Sequence, residues 1–193
     1  MDQATHFISI FERSIKKKEV LSTYLNQFDP EKCSVGFIES ISSEQFIMKH
    51  VTPEGMSDGY IVRKLEDVFR IDSNGEYEKR IKLLYTLQNQ KHEDFTDKNT
   101  ISGNTNLFKE SLMIAKKKDL IVSVCIDETE TQDDIIGFVK DVNSEEVTIS
   151  RISFEGFSDG ESTFYLEDIN KLNCDTSDEK IIKLLYNHRK SNK

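Results

Sequence analysis

Tryptophan is absent from this 193-residue chain, proline occurs twice and glycine eight times. So little proline and glycine argues against a long disordered segment. Cysteine is scarce as well: Cys33, Cys125 and Cys174 are odd in number, far apart and without a CxxC pair. They read as reduced thiols, not as a disulfide framework or a zinc site. Nowhere do about 18 apolar residues run together, as a spanning helix needs. The first stretch, MDQATHFISIFERSIKKK, lacks the leading positive charge and unbroken apolar core of a signal peptide. The expected location is the cytoplasm, with no membrane partner. Positive charge is the minority: 26 Lys and Arg against 35 Asp and Glu, a net charge of −9. Both halves are acidic, with 14 against 17 in residues 1–100 and 12 against 18 in residues 101–193. A nucleic-acid binder usually carries a basic surplus that displaces counterions from phosphates, and the chain as a whole has none. No P-loop, HExxH or glycine-rich dinucleotide fingerprint occurs, and no basic partner is nominated for a serine or cysteine nucleophile. The reading is a non-enzyme without cofactor or metal.

What the sequence does contain is itself, twice. Residues 36–85 lie on residues 137–186 at a constant offset of 101, without a gap and with 19 identities in 50 positions. Upstream, KKKEVLSTY from Lys16 falls on KKKDLIVSV from Lys116 after a shift of one residue. Chance would match only a few positions, so the chain reads as a tandem duplication, and units this long read as domains, not as solenoid repeats. The expected division is residues 1–91, a polar linker at 92–105 without periodicity, and residues 106–193.

Each copy opens with a short amphipathic helix: Phe7, Ile10, Phe11 and Ile15 in one, Leu107, Phe108, Leu112 and Ile114 in the other. Lys16, Lys17 and Lys18, and likewise Lys116, Lys117 and Lys118, fall where positive charge suits the helix C-terminus. Alternating β-branched segments follow, five short strands per copy. A closing helix places Ile81, Leu84 and Tyr85, or Ile182, Leu185 and Tyr186, on one face, and Thr176 with Glu179 fits a capping box. Between the third and fourth strands stands a repeated hexapeptide, EGMSDG at 54–59 and EGFSDG at 155–160. Gly55, Asp58 and Gly59, with Gly156, Asp159 and Gly160, are read as turn residues, the glycines supplying positive φ.

Helix, five short strands, a glycine early in strand two (Gly36, Gly137) and a late strand ending LEDV or LEDI: this order resembles the Sm-like small barrel, over about 60 residues of each copy. The resemblance implies a mainly β, α+β fold of two tandem Sm-like or SH3-like five-stranded barrels. Each would carry an N-terminal and a C-terminal helix lying over its open ends. It further implies RNA binding or ring assembly through strand edges. The chain departs from the family's RNA-binding pattern, because Glu66-Asp67 and Glu167-Asp168 stand where basic residues would be, and carboxylates repel phosphate. The leading reading is therefore binding of a protein partner or self-association into an oligomer. RNA binding is the alternative, through Lys49, His50, Arg151 and the two lysine runs. The acidic residues Asp58, Glu66, Asp67, Asp159, Glu167 and Asp168 match no calcium-loop spacing.

Overall fold

The computed structural model of the chain describes residues 3–27, 29, 31–97, 101–127 and 132–191. Two compact units divide it, Met1–Leu107 and Phe108–Lys193. In unit 1, helix α1 (Gln3–Lys17) leads into β1 (Val20–Tyr24), β2 (Ser34–Ile41), β3 (Gln45–Val51), β4 (Ser57–Lys64), β5 (Arg70–Ser73) and helix α2 (Glu76–Leu87). Unit 2 repeats the order with α3 (Leu107–Lys118), β6 (Ile121–Cys125), β7 (Ile135–Val142), β8 (Glu146–Ile152) and β9 (Ser158–Tyr165). A 3-10 turn (Leu166–Asp168), β10 (Lys171–Cys174) and α4 (Ser177–Ser191) complete it.

The repeat extends to the hydrogen-bond register. Val20 faces Phe37 and Leu21 faces Gly36, while Ile121 faces Phe138 and Val122 faces Gly137. The second strand of each unit bulges at the same place, between Ile38 and Ser40 or between Val139 and Asp141. Non-glycine residues with positive φ recur at the same offset, Lys18 with Asp119 and Asn74 with Asp175.

The expectation of two closed five-stranded Sm-like or SH3-like barrels is corrected here. Among the described residues ten strands are antiparallel in open-sheet order, β5-β1-β2-β3-β4 in unit 1 and β10-β6-β7-β8-β9 in unit 2, accompanied by four α-helices. Within each unit the first and last strands of that order stand at opposite ends of it, so neither set closes on itself. The physical reason is visible in unit 1, where helices cover sheet faces and not barrel mouths. Phe11 of α1 packs with Leu21, Ile38, Phe46, Met48 and Ile61 on one face, its ring 4.9 Å from that of Phe46. Ile81 and Tyr85 of α2 pack with Val20, Val35, Phe37 and Val51 on the other. A sheet whose two faces are both covered by helices buries its apolar residues without closure. Ile182 and Tyr186 of α4 meet Ile121, Ile136, Phe138 and Ile152 in the same way in unit 2.

The lysine runs close helices as expected, and a second lysine completes each closure. Lys16 and Lys17 end α1, and Lys116 to Lys118 end α3. Lys82 Nζ, from α2, donates to the carbonyl of Lys18 at 2.8 Å, and Lys183 Nζ, from α4, donates to the carbonyl of Asp119. Both acceptors belong to the left-handed residue just past the helix end, where unpaired carbonyls concentrate negative charge. Lys82→Ala is expected to lower stability by about 1 kcal/mol, and Lys183→Ala by about the same. Urea denaturation of the two variants checks both.

Candidate functional site

The hexapeptide turns the chain, but its tip lies earlier than its Asp-Gly. The hairpin between β3 and β4 spans Thr52–Met56: the N–H of Thr52 bonds to the Met56 carbonyl at 2.9 Å and that of Gly55 to the Thr52 carbonyl at 2.8 Å. Ser153, Gly156 and Phe157 repeat the arrangement. Gly55 and Gly156 supply the positive φ there, +81° and +80°. Gly59 and Gly160, also at positive φ, stand within β4 and β9, where register shifts between Lys49 and Val51 and between Ser150 and Ile152 mark bulges. Asp58 and Asp159 pair across the hairpin, Asp58 Oδ2 with His50 Nδ1 at 2.9 Å and Asp159 with Arg151. Two of the side chains considered for RNA, His50 and Arg151, are thus held by carboxylates of their own unit. Lys49 is held as well, its Nζ 2.7 Å from Asp94 Oδ1 and 3.8 Å from Glu39 Oε2.

Asp94 belongs to the segment read as a linker. Of residues 92–105, 98–100 lie outside the described residues, but His92–Asp97 run across the face of unit 1 formed by β2, β3 and β4. Glu39, in β2, is the anchor. Its side chain is fully buried, and Oε1 accepts the N–H groups of Phe95 (2.8 Å) and Thr96 (2.7 Å) and the Thr96 hydroxyl (3.1 Å). The other oxygen, Oε2, is also buried and has no hydrogen-bond donor among the described residues. Ser40 Oγ meets Thr96 Oγ1 at 2.8 Å. The ring of Phe95 stacks on Tyr60 with centroids 4.3 Å apart, and Tyr60 Oη donates to the Glu93 carbonyl. His92 stacks on Tyr85, 5.7 Å between centroids, with Tyr85 Oη and His92 Nδ1 3.0 Å apart. Ile47 and Val62, opposite each other in the ladder, lie on this same face by alternation and are fully buried.

Unit 2 repeats the strand order and register, and its corresponding positions carry different chemistry. At the positions of Glu39, Ile47, Lys49, Tyr60 and Val62 stand Lys140, Thr148, Ser150, Glu161 and Thr163. Lys140 pairs with Glu161 at 2.6 Å, and the hydroxyls of Thr148 and Thr163 meet at 2.9 Å on the surface. This is a sheet face composed for water, whereas its counterpart is composed for a peptide. Nothing in the residues 92–97 themselves announced the difference; the pairwise comparison of the two copies carries it.

Two exposed apolar positions recur in both units. The third residue of the hexapeptide points outward, Met56 at 40% and Phe157 at 51% exposure, and so does the first leucine of each KLLY, Leu83 at 58% and Leu184 at 70%. The turn is fastened to the closing helix beside it: Gln88 Nε2 donates to the Glu54 carbonyl at 2.7 Å, and Arg189 Nε to the Glu155 carbonyl at 2.6 Å. The Arg189 guanidinium also lies over the Phe157 ring, 4.0 Å from its centroid.

Neither Cys174 nor Cys33 offers an activated thiolate. Burial pushes the thiols of Cys174 and Cys33 up from the ordinary value, and the Tyr24 phenol beside Cys33 is pushed up to about 12, again chiefly by burial. A polar recess of about 190 Å³ is lined by Ser42, Ser43, Glu44, Asn104, Thr105 and Asn106, which include no basic side chain to activate either serine. Among the described residues no three His, Cys, Asp or Glu side chains are grouped to hold a metal ion, and no helix is long and apolar enough to cross a membrane. No family model, curated protein or solved structure matches the chain.

Proposed function

We propose that the chain arose by duplication of one unit and works as a bivalent, non-enzymatic binding module whose activity is self-association through the surface both units share. The observation that carries this reading is the pair of exposed apolar residues kept at equivalent positions, Met56 with Leu83 and Phe157 with Leu184. Single exposed apolar residues are ordinary, but the same two positions on two copies, one of them on a turn pinned to the helix that bears the other, make a built surface. Two such surfaces on one chain let each contact raise the effective concentration for the next. The RNA reading draws no support from Lys49, His50 or Arg151, whose side chains face Asp94, Asp58 and Asp159.

Sedimentation equilibrium tests the proposal. The native chain is expected to show an average mass that rises with concentration above 22.4 kDa, and Leu83→Glu with Leu184→Glu is expected to return it to the monomer. A native chain that stays monomeric up to about 100 μM overturns self-association, since contacts weaker than that fall below the usual range of specific interfaces. A parallel titration with short single-stranded RNA at two salt concentrations is expected to show no binding; tight, salt-sensitive binding would revive the alternative.

A further inference from the structure

The face of β2–β4 that bears Glu39, Lys49 and Tyr60 in unit 1 has the make-up of a peptide-binding site, and residues 92–97 occupy it as a ligand would. We propose that this face is a recognition site for an acidic peptide of a partner protein carrying Asp-Phe-Thr, and that the chain's own His-Glu-Asp-Phe-Thr-Asp is a tethered competitor that closes it. The site is distinct from the turn-and-helix surface assigned to self-association.

Each element of the ligand has its own receptor. A carboxylate at the first position meets Lys49, as Asp94 does at 2.7 Å. An aromatic ring at the second lies flat on Tyr60, as Phe95 does. A hydroxyl at the third reaches Ser40 and Glu39, as Thr96 does. Two successive backbone N–H groups converge on one oxygen of the buried Glu39, an arrangement that reads main chain and so accepts any peptide of the right path. The floor is apolar through Ile47 and Val62. A buried carboxylate is costly unless several donors reach it, so Glu39 needs a peptide on this face, whether tethered or supplied by a partner.

Charge complementarity sets the partner's chemistry. Lys49, between Asp94 and Glu39, is a cation of the site and takes an acidic residue at the first position, while Glu39 Oε1, which holds two N–H groups and a hydroxyl, disfavours an acid in place of the hydroxyl at the third. Tethering gives the native segment an effective concentration on the order of millimolar, so a partner peptide must bind tightly or arrive as part of a larger contact.

The experiment uses the full chain and a fluorescein-labelled synthetic peptide, HEDFTD, blocked at both ends. The native chain is expected to bind it weakly. A Phe95→Ala/Thr96→Ala chain, whose own segment no longer competes, is expected to bind at least about tenfold more tightly, and adding Glu39→Gln to that chain is expected to remove the gain. A peptide with alanine for phenylalanine is expected not to bind. A double variant with native-like circular dichroism that fails to bind at about 1 mM peptide overturns the proposal, as does binding indifferent to Glu39→Gln. If the double variant does not fold, native-state hydrogen exchange decides. The Phe95 and Thr96 amides are expected to exchange about a hundredfold faster than those of Ile47 and Met48, because a closing segment opens without the sheet. Equal protection of the four amides overturns the proposal.

Discussion

Gly156→Val is expected to destabilise the protein by roughly 3 kcal/mol or more, and Gly55→Val comparably, while Gly160→Ala costs no more than about 2 kcal/mol. Two effects add at Gly156. Its φ of +80° is a region where an L side chain is strained by about 1–2 kcal/mol, more for a β-branched one. A Cβ there would also stand 2.6 Å from the Tyr186 nitrogen and 2.7 Å from the Leu185 carbonyl carbon, both main-chain atoms of α4 that cannot rotate away. The hairpin would have to lift off the helix, losing the Arg189 bond to the Glu155 carbonyl. Gly160 shares the positive φ, +74°, but a Cβ there meets nothing within 4 Å, so only backbone strain remains. Asp159→Asn removes one exposed ion pair with Arg151, worth about 0–1 kcal/mol. Thermal midpoints should fall in the order Gly156→Val, Gly160→Ala, Asp159→Asn, the first by roughly 6–12 °C. A Gly156→Val chain melting with or above Gly160→Ala would show that turn and helix are not in the contact described.

The reason the hexapeptide recurs is therefore contact more than curvature. Sequence pattern located it between the third and fourth strands, because a run of Gly, Ser and Asp between alternating apolar residues is a local signal. It could not distinguish the glycine that turns the chain from the one within the strand. That distinction depends on α2 or α4 passing beneath Gly55 or Gly156, a contact about 30 residues away in sequence. The same limit explains the error in fold class. Strand number, strand length and helix amphipathicity are local properties and all were legible. Whether a five-strand order closes depends on which faces the helices take, and Phe11 and Ile81 place α1 and α2 on opposite faces of one sheet.

The site on unit 1 was hidden for another reason. Residues 92–97 hold a single aromatic residue among acids, a composition indistinguishable from a solvated linker. Glu39 looks like any outward-facing strand carboxylate until its burial is known. One signal was nonetheless present in the repeat. Ile47, Tyr60 and Val62 are apolar or aromatic where the second copy has Thr148, Glu161 and Thr163. Three such differences on one alternating face of the same fold mean that one copy has a cover and the other does not. Two units that match in strand order and register thus supply a control for each other: positions shared by both report the backbone, and positions that differ together report what lies upon it.

Gly36→Ala is the second large effect, expected to cost roughly 3–5 kcal/mol, with Gly137→Ala behaving alike. Here φ is not the issue. A Cβ on Gly36 would collide with the Lys49 carbonyl oxygen and stand 2.9 Å from its carbon and from Met48 Cγ; on Gly137 it would collide with the Ser150 carbonyl oxygen. β2 and β3 approach too closely at this point for any side chain, so a methyl group must push β3 away or shift its register. Either response propagates, because Met48 belongs to the core under α1 and Lys49 is the cation that holds Asp94. The urea midpoint should fall for both variants, and Gly36→Ala alone should also speed exchange at the Phe95 and Thr96 amides, since Glu39 sits three residues further along the same strand. A midpoint unchanged in either variant would contradict the close crossing of the two strands, and slowed or unaltered exchange at Phe95 and Thr96 in Gly36→Ala would separate the crossing from the seat of the 92–97 segment.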